Sequence, residues 1–303
     1  MTYQRIEVSR SDDIVTVTLN RPDKLNGVDM AMFDELIDVS RLLKKDRQLR
    51  AVILTGSGGN FSSGLDFKSM MTQKSNAVRL LFKWLPGQSN RAQQVSSNWR
   101  KLSVPVIAAI DGYCWGAGMQ IALGADFRIC SPNANLSIME SKMGLTSDMA
   151  GSIALREVMP KDKALLISIC GTELTAQQAL EYGLVTKVSN QPIEEALSLA
   201  SEITKMSPDV NAAMKHMYTR YWTAPAWKLL TYETYSQIRI MLGRNFGRMQ
   251  SALRKKRHLS FNLGSVIGKS VSLANDGFRS TLSASINLFD AREFLPDAAS
   301  DSN

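Results

Sequence analysis

A strand–helix–strand pattern near the start of the chain restricts what this sequence can fold into. Apolar and hydroxyl side chains alternate from Val15 to Leu19, and the run Ile14–Leu19 is predicted as a strand. From Asp29 the apolar residues recur at intervals of three and four as far as Leu43, which predicts a helix with Asp29 as its N-cap. Ala51–Thr55 is a short apolar run closed by Gly56. Because a helix joins the two strands, we expect them to pair in parallel, with Ala51–Thr55 buried on both faces.

The alternation of strand, loop and helix recurs along the chain. Further strands are predicted at Ile6–Val8, Val104–Ile110, Phe127–Cys130, Leu136–Met139 and Val185–Val188. Later helices are predicted at Ala154–Met159, Lys161–Ile169, Thr175–Tyr182, Ile193–Met206 and Asp209–Arg248, with interruptions at Pro208 and Pro225. This order predicts an α/β fold that ends in an all-α region.

The last 41 residues, 263–303, differ in composition from the rest. They are rich in Ser, Asn and Gly, and their three basic and five acidic residues oppose the net charge of +8 of the whole chain. Segments of this composition bury little apolar area, so we expect a C-terminal extension that is partly disordered.

Composition excludes several classes of function. Three cysteines without CxxC spacing and two isolated histidines favour neither a disulfide scaffold nor a metal site. No apolar run reaches the ~18 residues of a membrane helix, and the first ten residues contain no secretory h-region, so we expect a cytoplasmic protein without membrane partners. Nucleic-acid motifs are absent, and the basic cluster at 254–257 is only four residues long. The positive charge suits an anionic small ligand as well.

Two glycine-containing loops each follow a buried strand and precede a helix. One ends at Gly64-Leu65 and the other at Gly116-Ala117. Unpaired N–H groups at two such ends could bind one oxygen atom from two sides, as an oxyanion hole does. Neither loop matches a dinucleotide or P-loop fingerprint, and a purely structural role for the glycines remains the alternative.

Two carboxylates and one amide lie near these loops in the sequence. Glu140 follows an apolar strand, and either a general base or an ion pair with Lys142 would account for it. Asp148 could be a second acid or the N-cap of the next helix. Gln120 lies one turn into the helix that opens at Ala117, and it can hydrogen-bond but cannot take a proton.

Six stretches together carry a family resemblance. They are Leu19–Asn26, Phe61–Lys68, Pro105–Tyr113, Gly116–Asp126, Leu136–Gly151 and Leu174–Val185. In these residues, their order and their spacing, the chain resembles the crotonase, or enoyl-CoA hydratase/isomerase, superfamily over about residues 1–260.

The resemblance implies a crotonase-like spiral of ββα turns over residues 1–200 and a helical region over 201–262 that builds homotrimers or hexamers. It implies an acyl-CoA thioester substrate, whose carbonyl oxygen binds the backbone N–H groups of Leu65 and Ala117. Lys24 and Lys68 match positions near the CoA nucleotide, where cations would meet phosphates. No metal or redox cofactor is implied, since CoA belongs to the substrate.

The acidic positions separate the reactions within this superfamily. Glu140 matches the second of the two glutamates that hydratases use, whereas Gln120 stands at the position of the first. Asp148 matches an aspartate of dienoyl-CoA isomerases, in which an acid pair moves a proton along a conjugated chain. We therefore expect an isomerase of fatty acid metabolism that shifts a double bond through an enolate, with Glu140 and Asp148 as catalytic acids and Gln120 orienting the thioester or a water.

Two alternatives remain. The first is a hydratase or hydrolase in which Glu140 alone activates water. The second is a non-catalytic acyl-CoA-binding subunit, to which the amide at Gln120 and the unusual C-terminal extension both point.

Overall fold

The N-terminal strand–helix–strand unit forms one end of a six-stranded sheet. In a computed structural model that describes residues 3–72 and 75–264, β1 (Ile6–Ser11) pairs antiparallel with β2 (Ile14–Leu19). Strand β2 then pairs in parallel with β3 (Ala51–Gly56), as the sequence predicts. Five of the six residues of β3 are buried, which confirms that this strand is covered on both faces.

The remaining strands complete this sheet and form a second, smaller one. They are β4 (Val106–Ile110), β5 (Tyr113–Trp115), β6 (Phe127–Cys130), β7 (Asn135–Ser137), β8 (Glu173–Thr175) and β9 (Lys187–Val188). The large sheet has the order β1-β2-β3-β4-β6-β9, and every pair after the first is parallel. The small sheet has the order β5-β7-β8, with β5 parallel and β8 antiparallel to β7.

Helices follow most of the strands and form the whole of the C-terminal part. They are α1 (Met30–Lys45), α2 (Phe67–Met71), α3 (Ser75–Leu81), α4 (Arg91–Arg100), α5 (Ala117–Ala122), α6 (Gly151–Val158), α7 (Lys161–Cys170), α8 (Ala176–Glu181), α9 (Pro192–Thr204), α10 (Pro208–Tyr221), α11 (Ala226–Met241) and α12 (Arg244–Gly264). The fold is therefore α/β with an all-α C-terminal region, as expected. Pro208 and Pro225 stand at the starts of α10 and α11, where proline is compatible with a helix.

Local capping accounts for the ends of two predicted helices. The Asp29 side chain accepts a hydrogen bond of 2.9 Å from Met32 N and caps α1. The Thr175 side chain accepts from Gln178 N at 3.3 Å and caps α8, while Gly183 has a φ of 77° just beyond that helix. Both capping predictions are confirmed.

One predicted strand is wrong at its C-terminal end. The apolar run Leu136–Met139 predicts a strand that Glu140 closes, but β7 ends at Ser137. Met139 has φ −107° and ψ 12°, which is outside the extended region, and a single 3-10 turn spans Glu140–Met143. Glu140 therefore begins a tight turn, and Gly144 closes that turn in the left-handed conformation.

The main core lies between the large sheet and the helices that cover it. Trp99, Phe33 and Phe61 are among its largest fully buried side chains. One buried cation joins the C-terminal helices to this core. Lys215 of α10 donates to the carbonyls of Trp99 and Val104, both at 2.9 Å, and lies 2.7 Å from Asp126.

The chain divides into two compact units, residues 1–250 and 251–303. Of the second unit the structure describes 251–264, which are helical. The predicted extension at 263–303 lies outside the described residues beyond position 264, and the predicted boundaries at residues 200 and 262 stay predictions. Among the helices of the described residues, none is both long and apolar enough to cross a membrane.

Candidate active site

The two glycine loops lie side by side in the structure. Ser62 N donates to Tyr113 O at 2.8 Å, and Trp115 N donates to Ser62 O at 2.9 Å. A methyl group added to Gly64 would lie 3.0 Å from the carbonyl oxygen of Trp115 and 3.7 Å from Ala117 N. The peptide that carries Leu65 N is thus packed against the start of α5.

Both loops leave a main-chain donor unused. Neither Leu65 N nor Ala117 N donates to an acceptor within 3–72 and 75–264. The glycines that precede them have positive φ angles, 97° at Gly64 and 46° at Gly116, which residues with a side chain rarely adopt. The two glycines therefore turn the chain so that adjacent loops each present an N–H, which is the arrangement an oxyanion hole requires.

The Glu140 carboxyl lies next to the second loop. A methyl group at Gly116 would be 3.7 Å from Glu140 Oε1. Oε1 accepts a hydrogen bond from Gln120 Nε2, whereas Oε2 is buried and has no partner among the described residues. Burial raises the pKa of Glu140, the hydrogen bond from Gln120 opposes that rise, and the charge of Asp148 adds to it. A carboxyl with a raised pKa binds a proton more tightly than an ordinary glutamate does, which suits a general base.

Asp148 belongs to the same site. Burial raises its pKa, and its charge acts on Glu140. The alternative role as a helix cap is excluded, because Ala150 is the N-cap of α6 and no side chain caps that helix. An ion pair between Glu140 and Lys142 is also excluded, because Lys142 pairs with Glu173, at 3.2 Å.

Gln120 connects the two acidic segments. It is fully buried on α5, and its Oε1 accepts hydrogen bonds from Met149 N at 2.9 Å and from Gly151 N at 3.3 Å. Its Nε2 donates to Glu140. The structure thus brings together Gln120, Glu140 and Asp148, three residues that the sequence analysis singles out.

The two predicted CoA-contacting lysines lie on neighbouring segments. Ser63 N donates to Leu25 O at 2.8 Å, so the chain after Lys24 runs beside the chain that leads to Lys68. Both lysines are exposed, and neither forms an ion pair within the described part of the chain. Because both side chains are exposed, their cationic groups can meet an anion from solvent.

Sequence reasoning missed a buried asparagine that supports the first loop. Asn26 has a φ of 55°, is fully buried, and donates through Nδ2 to Ser57 O and Asn60 O, both at 2.8 Å. Its carbonyl oxygen accepts a hydrogen bond of 2.8 Å from Ser62 Oγ. The signal was available, because asparagine is one of the few non-glycine residues that tolerate a left-handed conformation.

The chain has relatives among known proteins. The family model described as Enoyl-CoA hydratase/isomerase matches residues 9–241. The chain is similar to the carnitinyl-CoA dehydratase of Escherichia coli O157:H7, with 30% identity over 239 residues, which is 78% of this chain and 86% of that protein. It is also similar to the carnitinyl-CoA dehydratase of Escherichia coli strain K12, with 31% identity over 218 residues, 71% of this chain and 80% of that protein.

Solved structures share the fold. A putative enoyl-CoA hydratase from Streptomyces coelicolor A3(2) superposes with a TM-score of 0.77 and 26% identity, over 84% of this chain and 93% of that chain. An enoyl-CoA hydratase from Mycobacterium tuberculosis H37Rv superposes with a TM-score of 0.74 and 26% identity, over 83% of this chain and 96% of that chain.

Proposed function

Because the chain belongs to the enoyl-CoA hydratase/isomerase family, we propose that it shifts a double bond within an enoyl-CoA or dienoyl-CoA thioester. The chain is an acyl-CoA enzyme of the crotonase superfamily, and the proposal concerns which reaction it catalyses. The substrate's acyl chain would lie between the unused main-chain donors and the acidic pair.

The proposed reaction is a proton transfer without net change in composition. The thioester oxygen accepts hydrogen bonds from Leu65 N and Ala117 N, which makes the neighbouring C–H bonds more acidic. Glu140 Oε2 removes a proton from carbon, and the electron pair moves onto the thioester oxygen as an enolate. Glu140 then returns the proton at another carbon, and the electrons of the enolate reform the double bond in the new position. In a two-acid version Asp148 begins protonated and donates its proton there, and the proton on Glu140 afterwards passes back to Asp148 through solvent. Because the two main-chain donors supply the electrophile, the proposal calls for no metal or redox cofactor.

One observation favours an isomerase over a hydratase. Both ends of the Gln120 amide are engaged, one by Glu140 and the other by the backbone of Met149 and Gly151. A side-chain amide does not ionise near neutral pH and so cannot act as a general acid or base, and the oxygen of this one already accepts two hydrogen bonds. The second titratable group beside Glu140 is therefore Asp148, which supports proton transfer between two positions of the substrate.

A second candidate is the reversible loss of water from a 3-hydroxyacyl-CoA. It is favoured by the similarity to proteins named carnitinyl-CoA dehydratase. In this reaction Glu140 alone would handle the water, because Gln120 cannot act as a base.

A panel of thioesters separates the candidates. The purified protein is incubated with 2-enoyl-, 3-enoyl- and 3,5-dienoyl-CoA and with carnitinyl-CoA, and the products are followed by ultraviolet absorbance and mass. An isomerase converts the 3-enoyl or dienoyl substrate without a change in mass. A gain or loss of one water identifies the second candidate and refutes the first. Tight CoA binding without turnover on any thioester would identify a non-catalytic subunit.

We also propose that the chain forms homotrimers or hexamers in the cytoplasm. The C-terminal helices support the assembly, because Trp222, Trp227 and Leu230 are between 54% and 60% exposed in the single chain. Aromatic and apolar side chains of this size are typical of surfaces that a partner covers. The buried free thiols of Cys114 and Cys130 are compatible with a reducing compartment.

A further inference from the structure

Gln120 is a buried side chain whose two functional ends have different partners. Its exposed fraction is 0%, and a buried amide is costly unless both ends are hydrogen-bonded. Here Nε2 donates to Glu140 Oε1, and Oε1 accepts from two main-chain N–H groups. The side chain therefore links the carboxyl of one acid to the segment that carries the other.

At the first end, Gln120 distinguishes the two oxygens of Glu140. Oε1 is held by the amide donor, whereas Oε2 is buried without a partner among the described residues. A donor to a carboxylate also favours the charged form, and here it opposes the rise in the pKa of Glu140 that burial causes. The contact thus leaves Oε2 as the oxygen that accepts a proton.

At the second end, Gln120 holds a turn with an unfavourable backbone conformation. Met149 N and Gly151 N lie on either side of Ala150, which has a φ of 65°. A non-glycine residue in the left-handed region is strained and persists only where its surroundings enforce it. Gln120 Oε1 accepts hydrogen bonds from the main-chain N–H groups on both sides of Ala150. Asp148 directly precedes this turn.

We propose that Gln120 is the positioning residue of the acid pair, which aims Oε2 of Glu140 at the substrate and fixes the turn that places Asp148. The inference rests on the proposed function, since it concerns the same two acids. It assigns no proton transfer to Gln120 itself.

Among the described residues few charged groups act on Glu140, so a change in its pKa can be traced to Gln120. Asp148 is the charged group that acts on the Glu140 carboxyl, and it raises the pKa. Lys142, two residues further on, is directed to Glu173. Removal of the Gln120 donor leaves only a hydrogen bond from the main-chain N–H of Glu140 to oppose burial and Asp148, so the pKa of Glu140 should rise further.

The first test is Gln120→Met, which keeps similar volume and removes all three hydrogen bonds of the side chain. We expect kcat to fall by about 10²-fold, as for a misplaced catalytic group, and the acidic limb of kcat/KM to move to higher pH. Gln178→Met is the matched control, because Gln178 Oε1 also accepts from a backbone N–H, that of Thr175 at 3.0 Å, but in the exposed capping box of α8. The control should keep the wild-type kcat and the wild-type position of the acidic limb of kcat/KM.

Gln120→Glu keeps one contact and replaces the other. A carboxyl oxygen at this position can still accept from Met149 N and Gly151 N, but two adjoining carboxyls repel each other when both are ionised and therefore share a proton. We expect the acidic limb to move to higher pH and the thermal stability to fall, relative to the wild type, as the pH rises. If Gln120→Met does not fold, Gln120→Met with Ala150→Gly takes its place, since glycine adopts the left-handed conformation without penalty.

A measurement that needs no turnover keeps this inference distinct from the proposed function. The Glu140 carboxyl is titrated by carbon NMR in the wild type and in Gln120→Met, with Glu140→Gln to assign the signal. A higher pKa of Glu140 in Gln120→Met supports the inference even if no thioester is converted. Failure to convert any thioester would refute the isomerase proposal and leave the positioning role of Gln120 standing. An unchanged titration, or a wild-type rate and acidic limb in Gln120→Met, overturns it. A loss of rate equal at every pH would mean that Gln120 is only structural, and would overturn it as well.

Discussion

Replacement of Glu140 by glutamine tests both the chemistry and the energetics of the site. The change is nearly isosteric. The new side-chain oxygen can accept the hydrogen bond of Gln120 Nε2 in the position of Oε1, and the amide nitrogen then occupies the place of Oε2, which has no partner among the described residues. The geometry should therefore survive, while the atom that accepts the proton is lost.

The expected loss of turnover is about two orders of magnitude or more, the range that a positioned general base contributes. Binding of the CoA thioester should change little, because Glu140 Oε2 acts on the reacting carbon and the oxyanion donors are main-chain groups. The fall should therefore appear in kcat, with KM nearly unchanged.

Stability should change in its dependence on pH. Burial raises the pKa of Glu140 above that of the unfolded chain, so the folded protein binds this proton more tightly than the unfolded protein does. The wild type thus loses stability as the pH rises from about 4.3, the ordinary value for glutamate, through the higher pKa of the folded state. Glutamine has no such loss, so the stability of the variant relative to the wild type should rise with pH. Its buried amide nitrogen lacks an acceptor among the described residues, which lowers the stability of the variant equally at every pH.

Steady-state kinetics on the active thioester and thermal unfolding at several pH values measure both effects. Glu173→Gln is the matched control, since it removes an exposed carboxylate that pairs with Lys142 and should alter neither rate nor stability by much. Wild-type turnover in folded Glu140→Gln would refute the assignment of Glu140 as the base. A difference in stability between variant and wild type that does not change with pH would refute the argument from burial.

Three further changes test other parts of the structure. Lys215→Met should destabilise the fold by about 3–5 kcal/mol in urea, because it leaves Asp126 without its buried cation, and a loss below about 1 kcal/mol would contradict this. Ala117→Pro removes a main-chain donor at a helix position that tolerates proline, so kcat should fall by about 10²–10³-fold with an unchanged circular dichroism spectrum, whereas an unchanged rate would remove Ala117 from the oxyanion hole. Gly118→Ala should destabilise the protein by about 1–3 kcal/mol in the same urea assay, because the added methyl group would lie 2.6 Å from Ser62 Cβ, and wild-type stability would show that the two loops can separate freely.

Local sequence patterns determined most of the secondary structure. The period of three and four after Asp29, the apolar run Ala51–Thr55 and the Thr175 cap depend on interactions between residues close together in the chain, and all three predictions are confirmed. The end of β7 was missed, because Met139 has the apolar character of a strand residue while its backbone has already turned. The positions of both glycine loops were also predictable, since a tight turn between strand and helix favours glycine.

Contacts between distant segments were decided only by the tertiary structure. The sequence suggests Lys142 as a partner for Glu140, but the fold directs Lys142 to Glu173 and brings Gln120, 20 residues earlier, onto the carboxyl. It also places the carbonyl of Gln120 on the backbone of Met149, 29 residues away. These pairings depend on how β5, α5 and β7 pack together, and side-chain spacing within one segment carries no information about that packing. Burial, which raises the pKa of both acids, is likewise a property of the assembled core.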